Sequence, residues 1–310
     1  MDGPLISVAD LAPHRALFEG VFGLVDRGGG ALDESAVERL WGVRGRRAET
    51  RLLETPGTAV GVLLVRFEPV APIAIREGTG PTDHGALKVI DFATSDFAAA
   101  SEALLRAGFP FSAPPATYPI ADGSHFTEGH LKGPDAITCA VLGFHDEPLD
   151  RFVRVTDRLF SEIVGVSAPV EDLEAAQRFY AALGLGVVYE YAIGDDRFGT
   201  MIGKQEESVV RGINYGLTER EPMIGIIHYG LPPGAAASLS ERATLPNRGL
   251  AALRLTVSSV AAVAEACPNG GGAVLAPPAA VELPPWGLVR SLTVRAPHGV
   301  VHHFIERERR

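Results

Sequence analysis

Hydrophobic and polar positions fall into a repeated pattern along this chain. The clearest instance is the β-branched run Ile163 to Val170, followed by Glu171-Asp172-Leu173-Glu174-Ala175-Ala176-Gln177-Arg178-Phe179-Tyr180 and closed by Leu183-Gly184-Leu185-Gly186. This order predicts a strand, a helix capped by Asp172 with Leu173, Ala176, Phe179 and Tyr180 on one face, and a glycine stop. Val187 to Tyr191 then returns as a strand. The same order opens the chain, from Leu5 to Leu11 through Leu17-Phe18 to Phe22-Gly23-Leu24. A second kind of copy runs from Val89 to Asp96, through a helix over Phe97 to Ala107, to Gly108; a fourth runs from Leu253 to Ser259, through Val263 and Ala266, to Gly270-Gly272. Subtracting residue numbers gives 172 − 10 = 162 for one pair of caps and 259 − 96 = 163 for the other. Two pairs with nearly one offset indicate a duplicated half.

Short β-rich runs broken by Gly and Pro follow each helix, and the last of each set (59–67, 136–144, 224–229 and 300–305) closes its copy. The pattern predicts an α+β fold of four βαββ or βαβββ modules. The acidic, proline-bearing stretch Asp146-Glu147-Pro148-Leu149-Asp150 divides an N-terminal pair of modules, 1–148, from a C-terminal pair, 149–310.

Composition narrows the partners. With 28 Lys plus Arg against 38 Asp plus Glu the net charge is −10, which disfavours nucleic acid. Two cysteines in 310 residues suit a reducing compartment. No 18-residue apolar run and no basic segment leading into an apolar one is found, so the expectation is a cytoplasmic protein without a membrane span. Walker, Gly-x-Gly-x-x-Gly, Gly-x-Ser-x-Gly and His-Glu-x-x-His patterns are absent.

Three local patterns carry a resemblance to a known family: Val170-Glu171-Asp172-Leu173 with Phe179-Tyr180 and Leu183-Gly184; Trp286-Gly287 with Arg290; and Ala296-Pro297-His298-Gly299 ahead of Val300 to Phe304. The arrangement resembles the vicinal oxygen chelate superfamily, which includes the glyoxalase I, bleomycin resistance and extradiol dioxygenase families. The resemblance implies tandem βαβββ modules, four copies paired into two incomplete barrels, and is nearest to two-domain extradiol dioxygenases, whose metal sits in the C-terminal pair. It also implies metal ligands on the inner faces of each module's first and last strands.

At those positions the first strands carry Gly3, Val89, Gly165 and Ala252, and the last strands of the N-terminal half carry Leu64 and Ala140. None is a metal ligand. The last strands of the C-terminal half place His228 and His303 at the corresponding positions, with His302 on the opposite face from His303. The expectation is therefore a C-terminal cleft in which His228 and His303 act as catalytic residues, as a weak metal pair or as acid and base. Tyr189, Tyr191, Arg197, Trp286 and Arg290 are the expected substrate contacts. His125 and His130, flanking Phe126-Thr127-Glu128-Gly129 with Asp122 upstream, read as a polar hairpin. The cofactor is either a divalent ion (Fe, Mn, Zn or Ni) or none. The expected function is a lyase, isomerase or dioxygenase type of enzyme for a small oxygenated carbonyl or aromatic compound, with a metal-free binding or resistance protein as the alternative. A homo-oligomer stays open.

Overall fold

The first module consists of β1 (Gly3–Ser7), α1 (Leu11–Phe18), β2 (Val25–Leu32), α2 (Glu34–Trp41), β3 (Arg47–Glu54) and β4 (Gly61–Glu68). The second has β5 (Val89–Thr94), α3 (Phe97–Arg106), β6 (Ala116–Pro119), β7 (His125–Lys132) and β8 (Thr138–Phe144). The third repeats the first: β9 (Ile163–Pro169), α4 (Leu173–Ala182), β10 (Gly186–Ile193), α5 (Asp196–Ile202), β11 (Val210–Gly216) and β12 (Met223–His228). The fourth repeats the second, with β13 (Gly249–Thr256), α6 (Val260–Ala266), β14 (Ala273–Leu283), β15 (Gly287–Arg295) and β16 (Val301–Arg307). This is a computed structural model, and it describes residues 1–119, 123–204, 208–218 and 220–307.

The caps confirm the duplication. Asp10 and Asp172 accept from the first turns of α1 and α4, and Asp33 and Asp195, separated by the same offset, do so for α2 and α5. Neither α2 nor α5 stands out in the sequence, since each interrupts the β-rich runs after a module's first helix and α5 falls in a stretch that reads as a loop. Asp33 followed by Ala36, Val37, Leu40 and Trp41 on one face is enough to make α2.

Within each module the first and last strands pair in parallel, which leaves one edge of the first strand free. β1 meets β13 and β5 meets β9, both antiparallel, giving the sheets β14-β15-β16-β13-β1-β4-β3-β2 and β10-β11-β12-β9-β5-β8-β7-β6. The barrels therefore join modules one with four and two with three. The division into an N-terminal pair (1–148) and a C-terminal pair (149–310) marks the duplicated halves but not the barrels. Periodicity identifies a module; which free edge it meets is decided by the whole chain.

The outer faces of both sheets share one core with α1, α3, α4 and α6, including Leu17, Phe18, Leu104, Phe179, Tyr180 and Val260. Each such fully buried aliphatic or Phe side chain contributes about 1.5–3 kcal/mol. The inner faces differ. In the first barrel, α2 fills the hollow: Ala36, Val37, Leu40 and Trp41 pack on Leu5, Leu63, Val65, Phe67, Val289 and Val301, and the Thr293 hydroxyl donates to the Leu40 carbonyl at 2.7 Å. In the second barrel the helix at the same place has Gly203 at the position that Trp41 holds in α2. There a hollow persists.

Candidate active site

Inside the second barrel a cavity of about 190 Å³ is lined by side chains of nearly all its strands. That is a little more than the ~150 Å³ void that holds a benzene ring. Phe126, Phe144, Phe152, Phe198, Tyr118, Tyr189, Tyr191 and Tyr229 supply the walls, and Asp91, Glu128, His130, Ser167 and Asn214 the polar groups. α5 closes the gap between the edge strands: Phe198 and Ile202 face the cavity, and the Phe198 ring lies 5.3 Å from that of Tyr118.

Strand alternation places the polar groups together. Asp91, Ala140 and His130 lie side by side on β5, β8 and β7, and Glu128 is two residues from His130 on the same face. Glu128 accepts from the Tyr118 hydroxyl and is bonded to His130 Nε2 at 2.6 Å. Burial opposes a charge on Glu128, yet His130 and the Tyr118 hydrogen bond hold its pKa below the usual carboxylate range. Asp91 is in the reverse position. It opens to the cavity, and no hydrogen bond or ion pair among the described residues supports its charge, so burial and then the nearby Glu128 push its pKa well up. Gly165 faces it across β9, where a Cβ would come within 3.1 Å of its carboxylate. Two carboxyls of one cavity are thus driven in opposite directions, Glu128 down and Asp91 up.

Behind the wall, Lys88 is buried and donates to the Tyr229 hydroxyl at 2.6 Å and to the Pro81 carbonyl. Burial, with Arg76 next, pushes its pKa far down. At the margin Arg151 stacks on Phe152 and pairs with Glu147 at 2.9 Å.

Of the residues expected from sequence, Tyr189 and Tyr191 line this cavity. Tyr191 lies flat on Gly212 of β11, whose hydrogen side leaves room for the ring. His228 and His303 are not brought together. In β12 the cavity receives Met223 and Ile227, so alternation turns His228 outward, to a surface groove with Glu171 and Arg211, where its Nδ1 accepts from the Gly230 amide at 3.1 Å. His303 belongs to the other sheet, fully buried beside Trp41 and bonded to the Ser291 hydroxyl at 2.9 Å. Burial, with Arg254 next, lowers its pKa to about 3. The shared C-terminal cleft is therefore corrected: the cavity uses modules two and three. Arg197 is exposed and tied to Asp195 at 2.6 Å. Arg290 is exposed near Glu306, and Trp286 sits between the Arg254 and Arg307 guanidinium groups, each 5.0 Å from its ring, in the first barrel. Asp122 lies outside the described residues.

Glu128 and His130 read as hairpin in the sequence. Phe126, Glu128 and His130 alternate in period two, a strand signal that Gly129 obscures. The first barrel carries different groups at the same places: one cap offset beyond Asp91, Glu128 and His130 stand Arg254, Ser291 and Thr293.

The inner faces of the cavity's first and last strands carry Val89, Asp91, Gly165, Ser167, Leu142, Met223 and Ile227. One carboxylate in this set falls short of the three protein ligands of a catalytic metal, and no group of three or more His, Cys, Asp or Glu among the described residues is placed to hold an ion. The donor set does not fit the superfamily's metal. No helix among the described residues is long and apolar enough to cross a membrane.

No family model matches the chain, and no curated protein matches it in sequence. Solved structures do match. Glyoxalase I from Zea mays superposes with a TM-score of 0.64 at 16% identity, covering 99% of this chain and 92% of that one. A Bacillus subtilis protein described as a candidate dioxygenase gives 0.60 at 11% identity, covering 100% of this chain and 85% of the other. With four modules, two incomplete eight-stranded barrels and these neighbours, the chain has the glyoxalase- and dioxygenase-like fold of the vicinal oxygen chelate superfamily.

Proposed function

We propose that the chain takes up one small aromatic or carbonyl compound in the second barrel and moves a proton on it with His130 and Glu128 in place of a metal. The observation that carries this reading is the His130–Glu128–Tyr118 network inside a cavity walled by aromatic rings. Glu128 orients the imidazole through Nε2, which leaves Nδ1 for a ligand, and the charge on Glu128 stabilises the imidazolium that forms when His130 accepts a proton. Asp91 anchors the ligand's polar end. Aromatic walls position the ring. Carbon acids activated by a carbonyl suit this equipment, and isomerase or lyase chemistry needs only such a proton shift.

The size and apolar walls of the cavity equally suit a protein that binds without turnover, and one experiment separates the two. With 2-hydroxyacetophenone in D₂O, proton NMR follows exchange at the carbon beside the carbonyl. The enzyme reading expects exchange above the buffer rate, reduced at least about 100-fold in His130→Gln. Saturable binding with no exchange favours the binding protein, and neither binding nor exchange contradicts both.

A further inference from the structure

The ligand's chemical class can be narrowed from what surrounds Asp91. Among the described residues, those with ionisable side chains that share the cavity with it are Glu128 and His130 from β7, Tyr118 from β6, Tyr189 and Tyr191 from β10, Tyr229 after β12 and Arg151 at the margin, with Cys139 of β8 behind it. None is a cation available to it. His130 is committed to Glu128 at 2.6 Å, and Arg151 at the margin is paired with Glu147. Lys88 lies behind Tyr229, its amine held by that hydroxyl and by Pro81, and it does not line the cavity. The cavity thus contains a carboxyl with no counter-ion among the described residues, beside a second carboxylate and inside a box of aromatic rings.

Such a box attracts positive charge. The negative faces of Tyr and Phe rings attract a cation, more strongly when water is excluded, and a desolvated carboxylate lacking a partner gains most from one. An anionic ligand meets the opposite situation, because Arg197 and Arg290, the cationic substrate contacts expected from the sequence, lie outside the cavity. We infer that the ligand of the second barrel is a one-ring organic cation, an arylalkyl amine, whose ammonium group pairs with Asp91 between the aromatic walls. This rests on the cavity of the second barrel being the ligand site. It also predicts a linkage: burial and Glu128 make Asp91 hold its proton to a higher pH than usual and the cation competes with that proton, so binding strengthens as pH rises toward the amine's own pKa.

Three probes of one size test it by isothermal titration calorimetry at pH 7.5: benzylamine as cation, benzyl alcohol as neutral isostere and benzoate as anion. Benzylamine is expected to bind at least 10-fold more tightly than benzyl alcohol, with benzoate weakest. Asp91→Asn is expected to remove the preference for benzylamine and to leave benzyl alcohol binding in place, which also reports that the variant is folded. Equal or tighter binding of benzyl alcohol by the unsubstituted protein, or a preference unchanged in Asp91→Asn, overturns the cation. If none of the three binds, the cavity itself is the wrong site, a separate failure.

Discussion

Asp91 shows how one position carries both recognition and a cost. A carboxyl enclosed without a partner holds its proton more tightly in the folded chain than in the unfolded one, where it ionises near pH 4. The native state therefore binds more protons, and Asp91's contribution to stability is fully present below about pH 4 and is lost as pH rises through its raised folded value. Asp91→Asn removes this slope. In the ligand-free protein the variant's gain in urea midpoint over the parent should grow between pH 4 and pH 7; a difference that stays constant with pH contradicts the protonated carboxyl. At this scale the sequence was legible where alternation was unbroken: Tyr189 and Tyr191 sit two apart on β10 and both reach the cavity. It was misleading where alignment stood in for register. His228 lies one residue beyond the inward-facing Ile227, and a shift of one residue reverses the face of every side chain in a strand.

The two barrels differ through one helix. α2 and α5 occupy equivalent places in modules one and three, each opened by an aspartate cap, and both bridge the edges of an incomplete barrel. α2 ends in Trp41, whose ring lies 5.6 Å from Phe67 and 5.9 Å from His303 and fills the interior. α5 ends at Ile202, with Gly203 where α2 has Trp41, and leaves the polar strands uncovered. Trp41→Ala should cost about 3–5 kcal/mol in denaturant unfolding, the range for a buried Trp emptied to Ala, while binding in the second barrel is unchanged. A loss of ligand binding equal to the loss of stability would mean that the first barrel holds the ligand. Strands, each module's first helix and caps were legible because their periodicity is local. α2 and α5 were not, although α1 and α6 are equally short, because they interrupt the β-rich runs that follow each module's first helix and owe their stability to the barrel interior they cover.

At the scale of the molecule, duplication was visible in two offsets, but the partner of each half-barrel was not. Parallel closure of every module leaves an open strand edge. The chain satisfies these edges by pairing β1 with β13, which brings its two ends together, and β5 with β9, which joins its two halves. Nothing within a module specifies that choice. The cavity consequently falls in the middle of the sequence, with Asp91, Glu128 and His130 from one half facing Tyr189, Tyr191 and Tyr229 from the other. The first barrel, with Arg254 and Trp41 at the corresponding places, has a packed interior.

The most direct measurement of this account is a crystal structure of the protein soaked with benzylamine. The account predicts electron density inside the second barrel, with the amine against Asp91 and the ring among Tyr118, Tyr191 and Phe198. Density in the first barrel beside His303, or in the surface groove at His228, with the second barrel empty, would contradict it.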